Sequence, residues 1–122
     1  MIHGHADLNI YKRSYKAAVE MYKIANTLPI EERFGMISQL KRAATSIPLN
    51  IAEGYGKHDS GAEFKRYLRM ALGSCNEMMV LISFCRDLEF IDIVTCQAYH
   101  DEYEEIARMI NSMISKWSDV KN

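Results

Sequence analysis

The chain has 122 residues, 48% of them apolar and 25% charged, with a formal net charge of −1. That is enough for one core and a single domain, residues 1–122, and too balanced a charge for a dedicated nucleic-acid binder. Two prolines and six glycines leave little punctuation, which favours a few long elements over many short ones.

The charge is unevenly placed. Residues 1–86 carry 12 Lys/Arg against 8 Asp/Glu (+4), and residues 87–122 carry 3 against 8 (−5). A chain polarised in this way is suited to joining head to tail or to binding an acidic partner locally. Cys75, Cys85 and Cys96 make an odd set with no Cys-x-x-Cys, which points to free thiols in a reducing compartment. On one helix Cys75 and Cys85 are about 15 Å apart, beyond the reach of a disulfide. Met1–Ala6 has no apolar run. No segment approaches about 20 uninterrupted apolar residues. The expectation is a cytoplasmic protein with no membrane span.

Met1–Asp7 reads as a short tail that frays. From about Leu8, the residues Ile10, Ser14, Ala17, Met21, Ile24 and Leu28 recur at steps of four and three, a helical stripe. Tyr11, Tyr15, Ala18, Tyr22 and Ala25 widen it. Pro29 disfavours helix at Leu28, so the first helix should stop near Thr27. The second should run from Pro29 or Ile30 to Tyr55, with Glu31 and Glu32 complementing its positive end. Pro48 lies inside it, where proline removes a donor and crowds the carbonyl of Ala44 at a cost of about 3 kcal/mol. Either the helix ends near Ser46 and restarts, or it bends and continues. The apolar stripe Ala44, Ile47, Ile51, Tyr55 keeps phase across Pro48, which favours a bend, with Thr45 or Ser46 free to bond a released carbonyl. Gly54 and Gly56 should end the helix through a left-handed cap.

Ser60-Gly-Ala-Glu63 reads as a capping box. A third helix follows, with Phe64, Leu68, Ala71, Cys75, Met78, Ile82 and Cys85 on one stripe, ending near Asp87–Leu88. Asp92 is a natural N-cap for a fourth, whose stripe is Tyr99, Tyr103, Ile106, Ile110, Met113 and Trp117. Its last residues should fray. The pattern is all-α: an antiparallel up-down-up-down four-helix bundle with its second helix bent at Pro48.

Catalytic and metal constellations are sparse. There is no Glu-x-x-His pair, phosphate loop or Gly-x-Ser-x-Gly elbow. His100 and Glu104, four apart, read as a solvated pair before a metal site, and His3 and His5 lie in the tail. The cysteines occupy helical packing positions, with no histidine placed by sequence to activate them. No cofactor, metal or enzymatic activity is expected.

Two groups of side chains stand out. Gln39, Arg42, Ser46, Asn50 and Glu53 line up opposite the apolar face of the second helix. They form either a solvated face or a polar line at an interface between helices, between subunits or with a ligand. The neutral hydrogen-bonding groups among them are poor choices for a plain exposed helix. Lys57, Lys65, Arg66 and Arg69, interleaved with Tyr55 and Tyr67, form a basic cluster that is either a solvated charged face or a set of phosphate contacts.

The run from Ser38 through Ile47-Pro-Leu-Asn-Ile-Ala-Glu-Gly-Tyr-Gly56 resembles the signature of bacterial four-helix-bundle proteins encoded in intervening sequences of 23S rRNA genes. Leu28-Pro29 with Glu32, Glu63-Phe64 with Leu68, Ala71-Leu-Gly-Ser74 with Glu77, and Glu105-Ile with Met109-Ile-Asn continue it in order. The resemblance implies a four-helix bundle assembled as a ring-like homopentamer. It also implies a fold relationship to the accessory protein of diversity-generating retroelements, which acts with nucleic acid and a reverse transcriptase. It implies no enzymatic activity. The expected role is thus a non-enzymatic oligomer, an accessory to RNA or a nucleoprotein, or else a protein-interaction bundle with no nucleic-acid role. Three positions depart from the family pattern: Lys57 stands where arginine is usual, and Leu88-Glu89-Phe90 replaces Leu-Gly-Tyr at its second and third residues.

Overall fold

The computed structural model of the chain describes residues 2–121, with side chains as far as Trp117. The expected fraying of the last residues falls outside the described side chains. Four helices follow in order: α1 (Asn9–Ala25), α2 (Met36–Tyr55), α3 (Gly61–Asp87) and α4 (Ile93–Lys121), with no strand among the described residues. They pack as a bundle. α1 lies against α2 and α4, α3 lies against α2 and α4, and the diagonal pairs α1–α3 and α2–α4 make no close backbone approach among the described residues.

Each stripe of three and four steps becomes one wall of the core. Ile10, Ala17 and Met21 meet Leu40, Ile47 and Ile51, then Leu68, Met78 and Ile82, then Tyr103, Ile106 and Ile110, all buried. Each such large apolar side chain contributes about 1.5–3 kcal/mol on leaving water. α3 is the one described helix long and apolar enough by composition to cross a membrane. Its Phe64, Leu68, Ala71, Cys75, Met78 and Ile82 are instead committed to the protein core.

The first helix is shorter than its stripe suggested, and residues 5–7 form a 3₁₀ turn in front of it, with the His5 ring set edge-on to Tyr11. The second helix starts at Met36, six residues after Ile30 and seven after Pro29, the starts expected for it. Ile30–Glu32 is a separate 3₁₀ turn, and Gly35 stands at the N-cap of α2. The Glu32 carboxylate accepts from the Met36 N–H at 3.2 Å, supplying a cap from outside the helix. α2 then runs unbroken through Pro48. Its hydroxyls do not serve the Ala44 carbonyl. Thr45 Oγ1 donates to the Lys41 carbonyl at 2.9 Å, and Ser46 bonds Ser74 of α3.

The glycines at the end of α2 act differently from expectation. Gly56 is right-handed (φ −62°), and no described glycine has positive φ. Gly54 is a contact instead. A Cβ there would meet Cβ of Tyr67 at 2.6 Å and a ring carbon of Phe64 at 3.2 Å. Beyond it, Ser60 Oγ accepts from the Glu63 N–H at 3.2 Å, while Glu63 turns to Arg66 rather than back to Ser60, so half of the capping box forms. α3 ends in a Schellman arrangement: Phe90 N–H donates to the Cys85 carbonyl at 2.8 Å and Glu89 N–H to that of Arg86 at 3.0 Å. The left-handed position falls on Glu89 (φ 63°). Asp92 caps α4, accepting from the Thr95 N–H at 2.6 Å, and that bond holds its carboxyl below the usual range.

At one end of the bundle the rings gather. His58 stacks on Tyr55 at 4.5 Å, and Trp117 sets its edge against Phe64 at 4.8 Å and His58 at 6.2 Å. His58 Nδ1 donates to the Tyr55 carbonyl at 2.7 Å.

Two stability changes follow. Glu89→Gly relieves a left-handed cost of about 1–2 kcal/mol against the extra chain entropy of glycine. The urea midpoint should therefore rise by an amount worth about 0.5–1 kcal/mol at unchanged slope; a fall would contradict the strained cap. Gly54→Ala gains little helix propensity in a last turn and adds overpacking of about 1–3 kcal/mol. Thermal unfolding should come several degrees lower, and an unchanged midpoint would show that α2 and α3 separate freely there.

Candidate interaction surfaces

The polar line of α2 borders the seam with α3. The Arg42 guanidinium donates to Glu77, Ser46 bonds Ser74, and Tyr67 Oη donates to Glu53 at 3.4 Å. These partners fall along α3 as the positions rise along α2, so the two helices meet in opposite senses. Asn50 Nδ2 turns back onto the Ser46 carbonyl at 2.8 Å. Gln39 is exposed on the surface. Three members of the line thus bond across to α3 of the same chain. The Arg42–Glu77 pair is largely solvated, so it contributes at most about 1 kcal/mol.

The basic cluster divides. Lys57, from the turn after α2, and Arg66, from α3, converge on the ring of Tyr67, at 5.3 and 4.5 Å from its centroid. Arg66 also pairs with Glu63 at 3.1 Å, which holds that carboxyl below its usual range and raises the guanidinium. Arg69 is exposed and Lys65 half-buried on the same helix. The structure brings Lys57 and Arg66 together, while Lys65 and Arg69 are neighbours only through the turn of the helix.

A surface that sequence reasoning treated as core margin is more prominent. Tyr11, Tyr15, Val19 and Tyr22 of α1 and Pro48 and Leu49 of α2 line an outward groove of about 640 Å³. Tyr15 is 54% exposed, and Leu49 is 65% exposed. Lys41 stands over one of its rings, its Nζ 5.0 Å from the Tyr22 centroid. The signal was present in the sequence. The tyrosines form a second ridge one residue beyond Ile10, Ser14 and Met21, making the apolar stripe too wide for a helix with only two packing neighbours. Pro48 belongs to this wall, where a missing donor leaves only ring carbons facing the groove.

A second apolar face lies across the bundle. Val80 and Phe84 of α3, with Met79, flank a cavity of about 270 Å³ bordered by His100 of α4 and by Asp87. Asp87 also borders the next hollow, where Ile93 and Val94 project. The three thiols are buried and unbridged. Burial pushes Cys75 up to about 12, and burial, then Cys96 and Glu32, push Cys85 up to about 11; neither is a thiolate at neutral pH. Glu104 pairs with Arg108 at 3.3 Å. No group of three or more His, Cys, Asp or Glu suited to a metal occurs among the described residues.

No curated protein matches the sequence. Among solved structures, a protein of unknown function from the S23 ribosomal protein family of Bacteroides thetaiotaomicron VPI-5482 is similar. It is 27% identical with a TM-score of 0.79, and the match covers 86% of this chain and 97% of that one. Residues 6–112 match the family described as 23S rRNA-intervening sequence protein. That match spans the helices that build both apolar faces and the motif around Pro48, and the chain belongs to the 23S rRNA-intervening sequence protein family.

Proposed function

We propose that this protein is a non-enzymatic, self-associating four-helix bundle that serves as an accessory unit in a larger assembly. The observation that carries this is the aromatic groove between α1 and α2, with Tyr15, Val19, Tyr22 and Leu49 all exposed. Contiguous apolar surface of this kind marks an interaction site in soluble proteins, and tyrosine is enriched where interfaces form. The burial of all three thiols, with those of Cys75 and Cys85 held protonated by it, supports a role in packing over one in nucleophilic chemistry. The family resemblance adds a homopentamer as the expected assembly.

A second feature supports an RNA or nucleoprotein partner: Lys57 and Arg66 reach one tyrosine ring from two different elements. Cations around an aromatic face suit phosphate and base contact. Without that contact, the groove alone describes a protein-interaction bundle.

Light scattering on the purified chain should give a mass several times that of the monomer, five by resemblance. A wild-type monomer at high concentration would end the self-association reading. Replacing Lys57, Lys65, Arg66 and Arg69 together by Glu should abolish binding to a single-stranded RNA probe that the wild type retains at low salt. Undiminished binding would remove these residues from the site, and a wild type that binds no RNA would leave only the protein-interaction role.

A further inference from the structure

Resting on the self-association proposed above, we infer that the copies join head to tail: the α1/α2 groove of one copy receives the α3/α4 face of the next. The two faces lie on opposite sides of the bundle, because α1 and α2 are adjacent, α3 and α4 are adjacent, and the diagonal pairs make no close backbone approach among the described residues. Both are apolar at their centres. The groove presents Tyr15, Val19 and Leu49, and the opposite face presents Val80, Phe84 and Val94, each at least 43% exposed.

Their rims carry opposite charge. Lys23 lines the groove and Lys41 stands over its Tyr22. Across the bundle Asp87, Glu89 and Asp92 line the second face, with Arg86 alone against them and already paired to Asp87 at 2.8 Å. The two rims also lie at one level. Lys23 and Lys41 flank the α1–α2 junction, and Asp87 to Asp92 form the α3–α4 junction. The bonds Arg42–Glu77, Ser46–Ser74 and Tyr67–Glu53 run α2 and α3 in opposite senses, so the start of α2 lies beside the end of α3 and the two junctions share one end of the bundle. A rotation about an axis parallel to the helices then sets lysines against carboxylates. Pairing the groove with its own copy about such an axis would set lysine against lysine. Head-to-tail joining of two different faces produces a ring when the rotation closes, and it uses the +4/−5 division of the chain.

Two variants, each with one face spoiled at an exposed position, test this. Leu49→Glu spoils the groove and Phe84→Glu the opposite face, and circular dichroism confirms that each keeps its helices. Each variant alone should be monomeric by light scattering, and an equimolar mixture should give a one-to-one heterodimer through the single intact joint, weakened by salt. If Phe84→Glu assembles like the wild type, or the folded mixture stays monomeric, head-to-tail joining is overturned while self-association stands. A monomeric wild type overturns both.

Discussion

At Gly54 the last turn of α2 comes so close to α3 that only a hydrogen fits between the backbone and the side chains of Tyr67 and Phe64. Much of the molecule depends on that approach. It draws Tyr67 under the turn, where Lys57 and Arg66 collect around its ring. It sets Phe64 where Trp117 of α4 can close over it. Two turns earlier on α2 the pairing of Ser46 with Ser74 also uses small side chains. The α2–α3 seam is therefore tight by composition, and its flanking groups bond along it rather than across a gap. The polar line of α2 is explained mainly by this seam. Directional partners at Arg42, Ser46 and Glu53 fix how the two helices slide past one another.

The bundle was legible from spacing because apolar side chains at three and four steps can be buried only along one face of a helix. The continuity of α2 across Pro48 was legible for the same reason: the stripe kept its phase. Other features depend on partners distant in sequence. The late start of α2 needed Gly35 to be weighed together with a capping carboxylate at Glu32. Gly54 looked like a helix terminator, and only the approach of Tyr67 shows it to be a packing position. At Glu89 nothing in the residue itself announces the left-handed position, which only the backbone shows. The aromatic groove was hidden in a different way. A tyrosine at the margin of a stripe looks the same in sequence whether its ring lies under a neighbouring helix or beside one.

The two ends of the charge division now have places in the fold. The basic excess of the first three helices reaches the groove rim at Lys23 and Lys41, and the acidic excess begins at the α3–α4 junction. Fold stability and surface chemistry are separable here. The core residues of all four helices are buried and apolar, while Tyr15, Leu49, Phe84 and Val94 contribute little to the isolated bundle because they remain exposed. Sequence change on these faces can alter association with modest effect on folding.

The ring cluster at the far end has a practical meaning. Trp117 is the chain's single tryptophan, and it sits where the late part of α4 closes over Phe64 and His58. Intrinsic fluorescence excited at the indole therefore samples this one location and no other. Its emission reports the docking of α4 on the α2–α3 turn, leaving the apolar faces optically silent. Comparison with backbone ellipticity, which averages all four helices, distinguishes fraying of that end from cooperative unfolding without any added label.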